Sequence, residues 1–332
     1  MKLGTGVQIS AGIAIAAVGI WVFSRQVQLG EMFREVRQTP LWKIVLVAAL
    51  NPATLLFRAW RWKYLLADRS GCSKRGLFPL VTIGFMINNF FPARLGEAAR
   101  AALLWKRNRF SIAESVGSLL VERFLDILVF TLFLFLPILL MPRLSHLRTY
   151  GVLCAAGFCG VLLGFFAYAK NPTVTKRIAK KSLIVIPMRF RKAIVPIGKE
   201  LISNLDWLFS PRRTVVVTVL SILTLACQVA ALRVLGWGIA GFGVLVSMFG
   251  IAFAAIGAAI PLAPGYVGTL HAMMLSGMGM AGIAADKAGA IAVLYHAIGY
   301  IAISIMGIYY FFNLKISMKE IKESGVRSGD AN

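Results

Sequence analysis

Apolar runs long enough to cross a bilayer alternate with short polar segments along most of this chain. Full spans are predicted at 6–24, 41–60, 112–140, 150–169, 214–235 and 289–312, most of them near the ~20 residues that a hydrocarbon core of ~30 Å requires. Two further apolar stretches, 76–105 and 244–282, depart from this pattern. Each holds two arms around a Pro/Gly tip. The first tip reads Asn88-Asn89-Phe90-Phe91-Pro92-Ala93-Arg94-Leu95-Gly96-Glu97, the second Pro261-Leu262-Ala263-Pro264-Gly265-Tyr266-Val267-Gly268-Thr269-Leu270-His271. Most arms are short for a span, and non-helical backbone is tolerated at membrane depth only inside protein or against a water-filled cavity. Each stretch is therefore expected to be a re-entrant hairpin that enters and leaves by one face. Two complete helices per stretch is the alternative, and both leave an even number of crossings.

Composition agrees with this reading. The 332 residues are 58% apolar and 15% charged, with mean hydropathy +0.77. The formal charge of +23 would suggest nucleic acid in a soluble chain. Here the basic residues follow the bilayer instead, so no nucleic-acid partner is implied. With the N-terminus in the cytoplasm, five basic residues between Arg61 and Arg75 and eleven between Lys170 and Arg213 fall on the inner side, together with Lys2, Lys106–Arg109 and the tail from Lys315. The first outer loop, with Arg25, Arg34, Arg37 and Lys43, is the exception. The expected location is thus a prokaryotic inner membrane, multi-pass, with both termini cytoplasmic. The first span reads as an uncleaved signal anchor, since no small-x-small cleavage site follows it.

The expected fold is an all-α polytopic membrane protein, one integral domain over 1–332, with about six full spans and two re-entrant helical hairpins. In this topology 41–140 (hairpin 76–105) and 214–312 (hairpin 244–282) are mirror images, span-hairpin-span, which defines an inverted-topology repeat. The tips share a Pro-x-x-x-Gly spacing, Pro92 to Gly96 and Pro264 to Gly268, and with Gly265 these are the expected hinge positions. Interrupted apolar segments in corresponding places of two halves point to a translocation site near the midplane. Between the repeats, 170–213 interleaves its basic residues with Ile178, Leu183, Ile194, Leu201, Leu205 and Leu208. It reads as a cytoplasmic interfacial segment on an anionic leaflet, and 313–332 as a cytoplasmic basic tail.

Charges inside the apolar segments carry the functional signal. Arg94, Glu97 and Arg100 recur every third residue and fall near one helical face. Glu122 and Asp126 lie one turn apart in the following span, with Arg123 between them. Each such group costs about 2.5–3.5 kcal/mol at a helix centre, so the six should face one another or a wet cavity. One reading is a structural ion-pair cluster, with Arg100, Glu122 and Arg123 near enough to the inner surface to snorkel. The other is a headgroup site. A guanidinium stays charged when buried and its planar fork suits phosphate oxygens, so Arg94 or Arg100 would bind the phosphate. Glu97, Glu122 and Asp126 would then hold the arginines in the empty site, with Asn88 and Asn89 adding neutral hydrogen bonds.

In order and spacing, Asn89-Phe90-Phe91-Pro92-Ala93-Arg94-Leu95-Gly96-Glu97, Glu122-Arg123-x-x-Asp126 and Pro264-Gly265-x-x-Gly268 resemble the flippase-like family typified by the transmembrane domain of lysylphosphatidylglycerol synthase. The resemblance covers most of the chain. It implies a membrane protein that moves lipids between leaflets, the lipid being aminoacylated phosphatidylglycerol in bifunctional members; related chains have been linked to lipid-linked sugar pathways. Bifunctional relatives carry a soluble aminoacyl-transfer domain after the membrane region, whereas this sequence ends at Asn332, so lysyl-lipid synthesis is not expected. Many relatives have an acidic residue where this chain has His271. A histidine there either titrates near neutral pH, with His296 as companion, or hydrogen-bonds a neighbouring helix. Tyr266, between the two glycines of the second tip, completes the candidate binding set.

No phosphate-binding Gly-rich loop with Lys, zinc-spaced His/Glu set or Gly-x-Ser-x-Gly elbow occurs, and Cys72, Cys154, Cys159 and Cys227 form no Cys-x-x-Cys pair. No cofactor or metal is implied, and ATP-driven pumping is not expected of this chain alone. The favoured function is a lipid translocator, not an enzyme, whose partners are membrane lipids, either an anionic phospholipid or a lipid-linked phosphate. A homo-oligomer remains open. Two alternatives stand: a membrane-embedded transferase on a polyprenyl-phosphate-type lipid with Glu97, Glu122 or Asp126 as general base, and a non-catalytic assembly partner.

Overall fold

The computed structural model describes residues 5–66, 75–91, 94–171, 173, 206–260 and 263–316. Pro92, most of the basic segment 170–213 and most of the tail 313–332 lie outside them. Among the described residues there are eleven α-helices and no strand: α1 (Thr5–Gln26), α2 (Leu29–Gln38), α3 (Leu41–Leu65), α4 (Leu77–Phe90), α5 (Leu95–Asn108), α6 (Ile112–Leu140), α7 (Arg148–Lys170), α8 (Pro211–Leu235), α9 (Val244–Ala259), α10 (Thr269–Met280) and α11 (Ala285–Asn313). Five segments are long and apolar enough to cross a membrane: α3, most of α6, Pro142–Gly164, α8 and α11. With 22 residues, α1 also has spanning length.

Local chemistry sets several boundaries. Ser111 and Glu114 form a reciprocal capping box at the start of α6, Ser111 Oγ accepting from Glu114 N at 3.1 Å and Glu114 Oε2 from Ser111 N at 2.8 Å. Pro211 opens α8 behind Ser210, which suits its fixed φ and missing N–H. The first outer loop of the sequence reading contains α2, with Met32 and Val36 packed into the core and Gln28 N donating to Asp286 Oδ1 at 2.7 Å. Arg34 and Arg37 therefore belong to an amphipathic surface helix, while Arg25 lies in the last turn of α1 and Lys43 in the first turn of α3.

The two broken stretches each fold as a pair of short helices. α4 and α5 have 14 residues each, α9 has 16 and α10 has 12, so at 1.5 Å per residue each reaches only about 18–24 Å. The arms pack closely. Gly96 backs onto the Gly84 carbonyl with no room for a Cβ, and a Cβ on Gly257 would stand 2.5 Å from Thr269 O. Both breaks use left-handed backbone: Arg94 has φ +54, Gly265 +57, Tyr266 +60 and Gly268 +84. Gly268 also receives α1, whose Gly19 lies against it.

Packing partners correspond when α3–α6 are exchanged for α8–α11. α3 packs on α8, α6 on α9 and α11 on α4, while each hairpin packs on the long helices before and after it. α3 and α8 run antiparallel, since Lys43 Nζ donates to Trp237 O and Arg61 Nη1 to Ser221 Oγ at opposite ends of the pair. Among the described residues two large apolar blocks result, beside a smaller third one around Leu65, Val121 and Val217. One is built around Trp62, Val81, Ile83 and Leu104, the other around Leu232, Phe249, Met274 and Ala288. The intramembrane charges from α3, α5 and α6 collect beside the first block and reach toward the second.

Candidate functional site

Arg58 and Arg61, three residues apart on α3, meet Glu122 and Asp126, four apart on α6. Arg58 Nη1 lies 2.8 Å from Asp126 Oδ2 and 3.5 Å from Glu122 Oε1, and Arg61 Nη2 lies 2.8 Å from Asp126 Oδ1 and 3.6 Å from Glu122. From α5, Arg100 grips Glu122 with both terminal nitrogens, at 2.8 and 3.2 Å. Its guanidinium stacks 4.2 Å over Trp62, whose indole N–H donates to Ser118 Oγ at 2.9 Å. All five charged side chains are buried, Arg61 completely. Sequence reading counted Arg61 among the inner loop charges; α3 continues to Leu65 and carries it into the protein. It also offered Arg100 as a phosphate ligand, but the bidentate pair and the Trp62 stack place it in the buried cluster.

A second set is more accessible. Arg123 Nε binds Glu97 Oε1 at 2.8 Å, and its Nη1 lies 3.4 Å from Asp126 Oδ2. Arg94, in left-handed backbone at the start of α5, donates from Nη2 to Ala258 O at 2.8 Å and stands 3.9 Å from Glu97. Its Nε is buried without a hydrogen-bond partner. The side chains of Arg94, Glu97 and Arg123 retain 30, 26 and 26% of their exposure, against 6% or less for the buried five. Among the described residues, five arginines thus face three carboxylates, leaving two positive charges in excess.

Two cavities meet at this set, and a third adjoins them at Arg58. One of about 160 Å³ is lined by Arg58, Arg94, Glu97, Arg123 and, from the second half, Gln228 and Tyr266. It shares Arg58, Gln228 and Tyr266 with a cavity of about 210 Å³ that reaches Asn51, His296 and Tyr300. On the other side it shares Arg94 and Arg123 with a groove of about 350 Å³ between α6 and α9. The groove is walled by Ile127 and Ile256, which are 61 and 43% exposed. Polar groups therefore line the inside and apolar ones the rim.

The remaining predicted residues hold the hairpins. Asn88 Oδ1 accepts from Gly96 N at 2.8 Å, closing the first tip. Asn89 Nδ2 donates to Tyr300 O at 3.2 Å and Ser304 Oγ at 3.1 Å, fastening that tip to α11. One atom of each amide is thus taken up by protein, and both residues also border the cavities, Asn88 the one of about 160 Å³ and Asn89 the one of about 210 Å³. In the second tip His271 Nδ1 accepts from Gly268 N at 3.3 Å. That bond makes His271 Nε2 the protonated nitrogen, so it donates across 3.0 Å to His296 Nδ1. His271 and His296 are thus companions, tied into the tip backbone. Pro264 and Gly265 form a single turn beside them.

This arrangement can hold an anion at a polar centre while leaving a lipid-facing groove open. A family model described as the lysylphosphatidylglycerol synthase TM region matches residues 9–307. The chain belongs to this family. It is 23% identical to a UPF0104 membrane protein of Methanothermobacter thermautotrophicus, over 90% of this chain and 94% of that one. It is 24% identical to a UPF0104 membrane protein of Methanocaldococcus jannaschii, over 68% of this chain and 93% of that one.

Several residues of the site are not singled out by the sequence. Arg58 and Arg61 repeat the three-residue spacing of Arg94, Glu97 and Arg100, and ending the span at residue 60 hid the pattern. Gln228 is a polar residue inside an apolar span, a signal that was present. Asn51, Tyr295 and Tyr300 gave none, because single amides and phenols recur in membrane helices wherever a neighbouring carbonyl accepts them.

Proposed function

We propose that the protein moves a lipid with a phosphate-bearing, anionic headgroup between leaflets, and that Arg94 and Arg123 are the residues that meet the phosphate. The observation that carries this is the excess of arginine over carboxylate, with Arg94 the least paired of the five at the junction of two cavities. Buried charges are stable only when compensated, and an anionic headgroup supplies what the protein lacks. α5 and α10 also begin at the two tips, so their N-terminal partial positive charges add to the attraction. Headgroup passage runs from the α6–α9 groove past Arg94, Glu97 and Arg123 toward Gln228 and Tyr266, while acyl chains stay in lipid. Arg100, Glu122, Asp126, Arg58 and Arg61 form the rigid wall behind it.

In this reading the broken stretches are re-entrant hairpins of an inverted repeat, the chain lies in a prokaryotic inner membrane with cytoplasmic termini, and it acts as a transporter without catalysis. The short arms and the exchange of packing partners support that topology. The transferase alternative is weaker, because Glu122 is enclosed by guanidiniums and Asp126, although it borders the groove, has its oxygens paired with Arg58 and Arg61, while Glu97 faces its cavity beside Arg94.

The experiment is leaflet accessibility in proteoliposomes holding the purified protein and a fluorescent phosphatidate or polyprenyl phosphate. Wild type is expected to expose the inner-leaflet pool to an aqueous quencher, and Arg94→Gln to leave it protected while remaining folded. Equal rates for the two proteins, or none for either, contradict the reading.

A further inference from the structure

If the protein translocates lipid as proposed above, a headgroup entering by one seam must leave by another, and the packing identifies the second. Exchange of α3–α6 for α8–α11 maps the α6–α9 seam onto the α11–α4 seam. The two seams differ in this state. Between α6 and α9 runs the groove of about 350 Å³, with Ala252, Ala255 and Ala259 presenting a smooth face opposite Ile127 and Phe130, and Arg94 and Arg123 at its inner end. Between α4 and α11 the side chains interlock. Met86 fills the space over Gly307, Asn89 holds Tyr300 O and Ser304 Oγ, and Tyr300 OH returns a bond to Asn89 O at 3.3 Å. Edge-to-face ring pairs, Phe90 with Tyr300 and Phe78 with Tyr310, close its two ends at centroid separations of 5.9 and 5.7 Å.

We infer that the α4–α11 seam is a second lateral portal for the acyl chains of the same lipid, shut here by a latch centred on Asn89, Tyr300 and Ser304. The cavity of about 210 Å³ reaches the inner side of this seam at Phe85, Asn89, Tyr300 and Ile303, so a headgroup already past Arg58 would stand directly behind the latch. The latch consists of a few neutral hydrogen bonds, and such bonds are individually weak between membrane helices. Opening it while α9 closes on α6 would exchange the roles of the two seams, which is the motion available to two equivalent halves around one site.

The test bridges the seam. In a chain whose four native cysteines are replaced by alanine, Phe78→Cys with Tyr310→Cys, and separately Asn89→Cys with Ser304→Cys, are joined by a short bifunctional thiol reagent that a reductant cleaves. Each protein is its own reduced control. Bridging is expected to stop the movement of fluorescent phosphatidate, and reduction to restore it. A bridge between α6 and α7, through Phe135→Cys and Phe158→Cys, whose rings lie 5.5 Å apart, is expected to leave the rate unchanged. Equal rates before and after cleavage of the seam bridges overturn the second portal and leave the translocator reading standing. Arrest by the α6–α7 bridge also overturns it, since the effect would not belong to the seam. A wild-type chain that moves no anionic lipid overturns both.

Discussion

Gly265, at the break of the second hairpin, lies against the carbonyl of Asn89 at the end of the first, so that a Cβ would stand 2.8 Å from that oxygen. This contact joins the two interrupted segments at one point beside the cavities. It needs a residue without a side chain, and φ of +57 favours glycine as well. Gly265→Val should therefore cost about 1–2 kcal/mol for the left-handed backbone and about 1–3 kcal/mol for overpacking. Thermal unfolding in detergent is expected to shift down accordingly, and lipid movement to fall further than the folded fraction does. Unfolding and transport like those of wild type would mean the tips need not touch.

The buried and accessible arginines should separate by phenotype. Breaking a buried ion pair by removing one partner costs about 3–5 kcal/mol, so Arg100→Gln, which takes from Glu122 its bidentate partner and leaves Arg58 and Arg61 at 3.5 and 3.6 Å, is expected to lower the yield of folded protein sharply. Arg94→Gln, with one carbonyl partner and a carboxylate at 3.9 Å, is expected to unfold near the wild-type temperature and lose lipid binding. Folded yield and melting temperature check both. Matching phenotypes for the two variants would dissolve the distinction.

The amount of this architecture legible in the sequence depended on the kind of signal. Runs such as 112–140 and 214–235 give themselves away because a bilayer core accepts little else. The tips were visible because Pro and Gly cluster there, whereas a single proline such as Pro52 or Pro137 stays inside a continuous helix. Glu122 and Asp126 stood out by their cost. Their partners Arg58 and Arg61 did not, because a charge near the end of a span reads equally as a loop residue, and only the extension of α3 to Leu65 turns it inward. Asn88 and Asn89 looked like ligand groups since an amide near a charged tip has two uses, and sequence does not say which carbonyl or N–H stands opposite it.

Groove occupancy is open to a steric test. Ala255 is half-buried and lines both the groove and the cavity behind it, so a larger side chain there projects into them. Ala255→Trp is expected to slow lipid movement to near the protein-free rate while leaving thermal stability within about 1 kcal/mol of wild type, as for a surface substitution. An undiminished rate would route the lipid elsewhere.

The central claim is that surplus positive charge around Arg94 and Arg123 retains an anionic headgroup, and native mass spectrometry of the detergent-solubilised protein with added lipids measures it most directly. The account requires phosphatidate to remain bound where phosphatidylcholine does not, and Arg94→Gln with Arg123→Gln to abolish that difference. Equal retention of both lipids by wild type, or undiminished phosphatidate retention by the double variant, would contradict it.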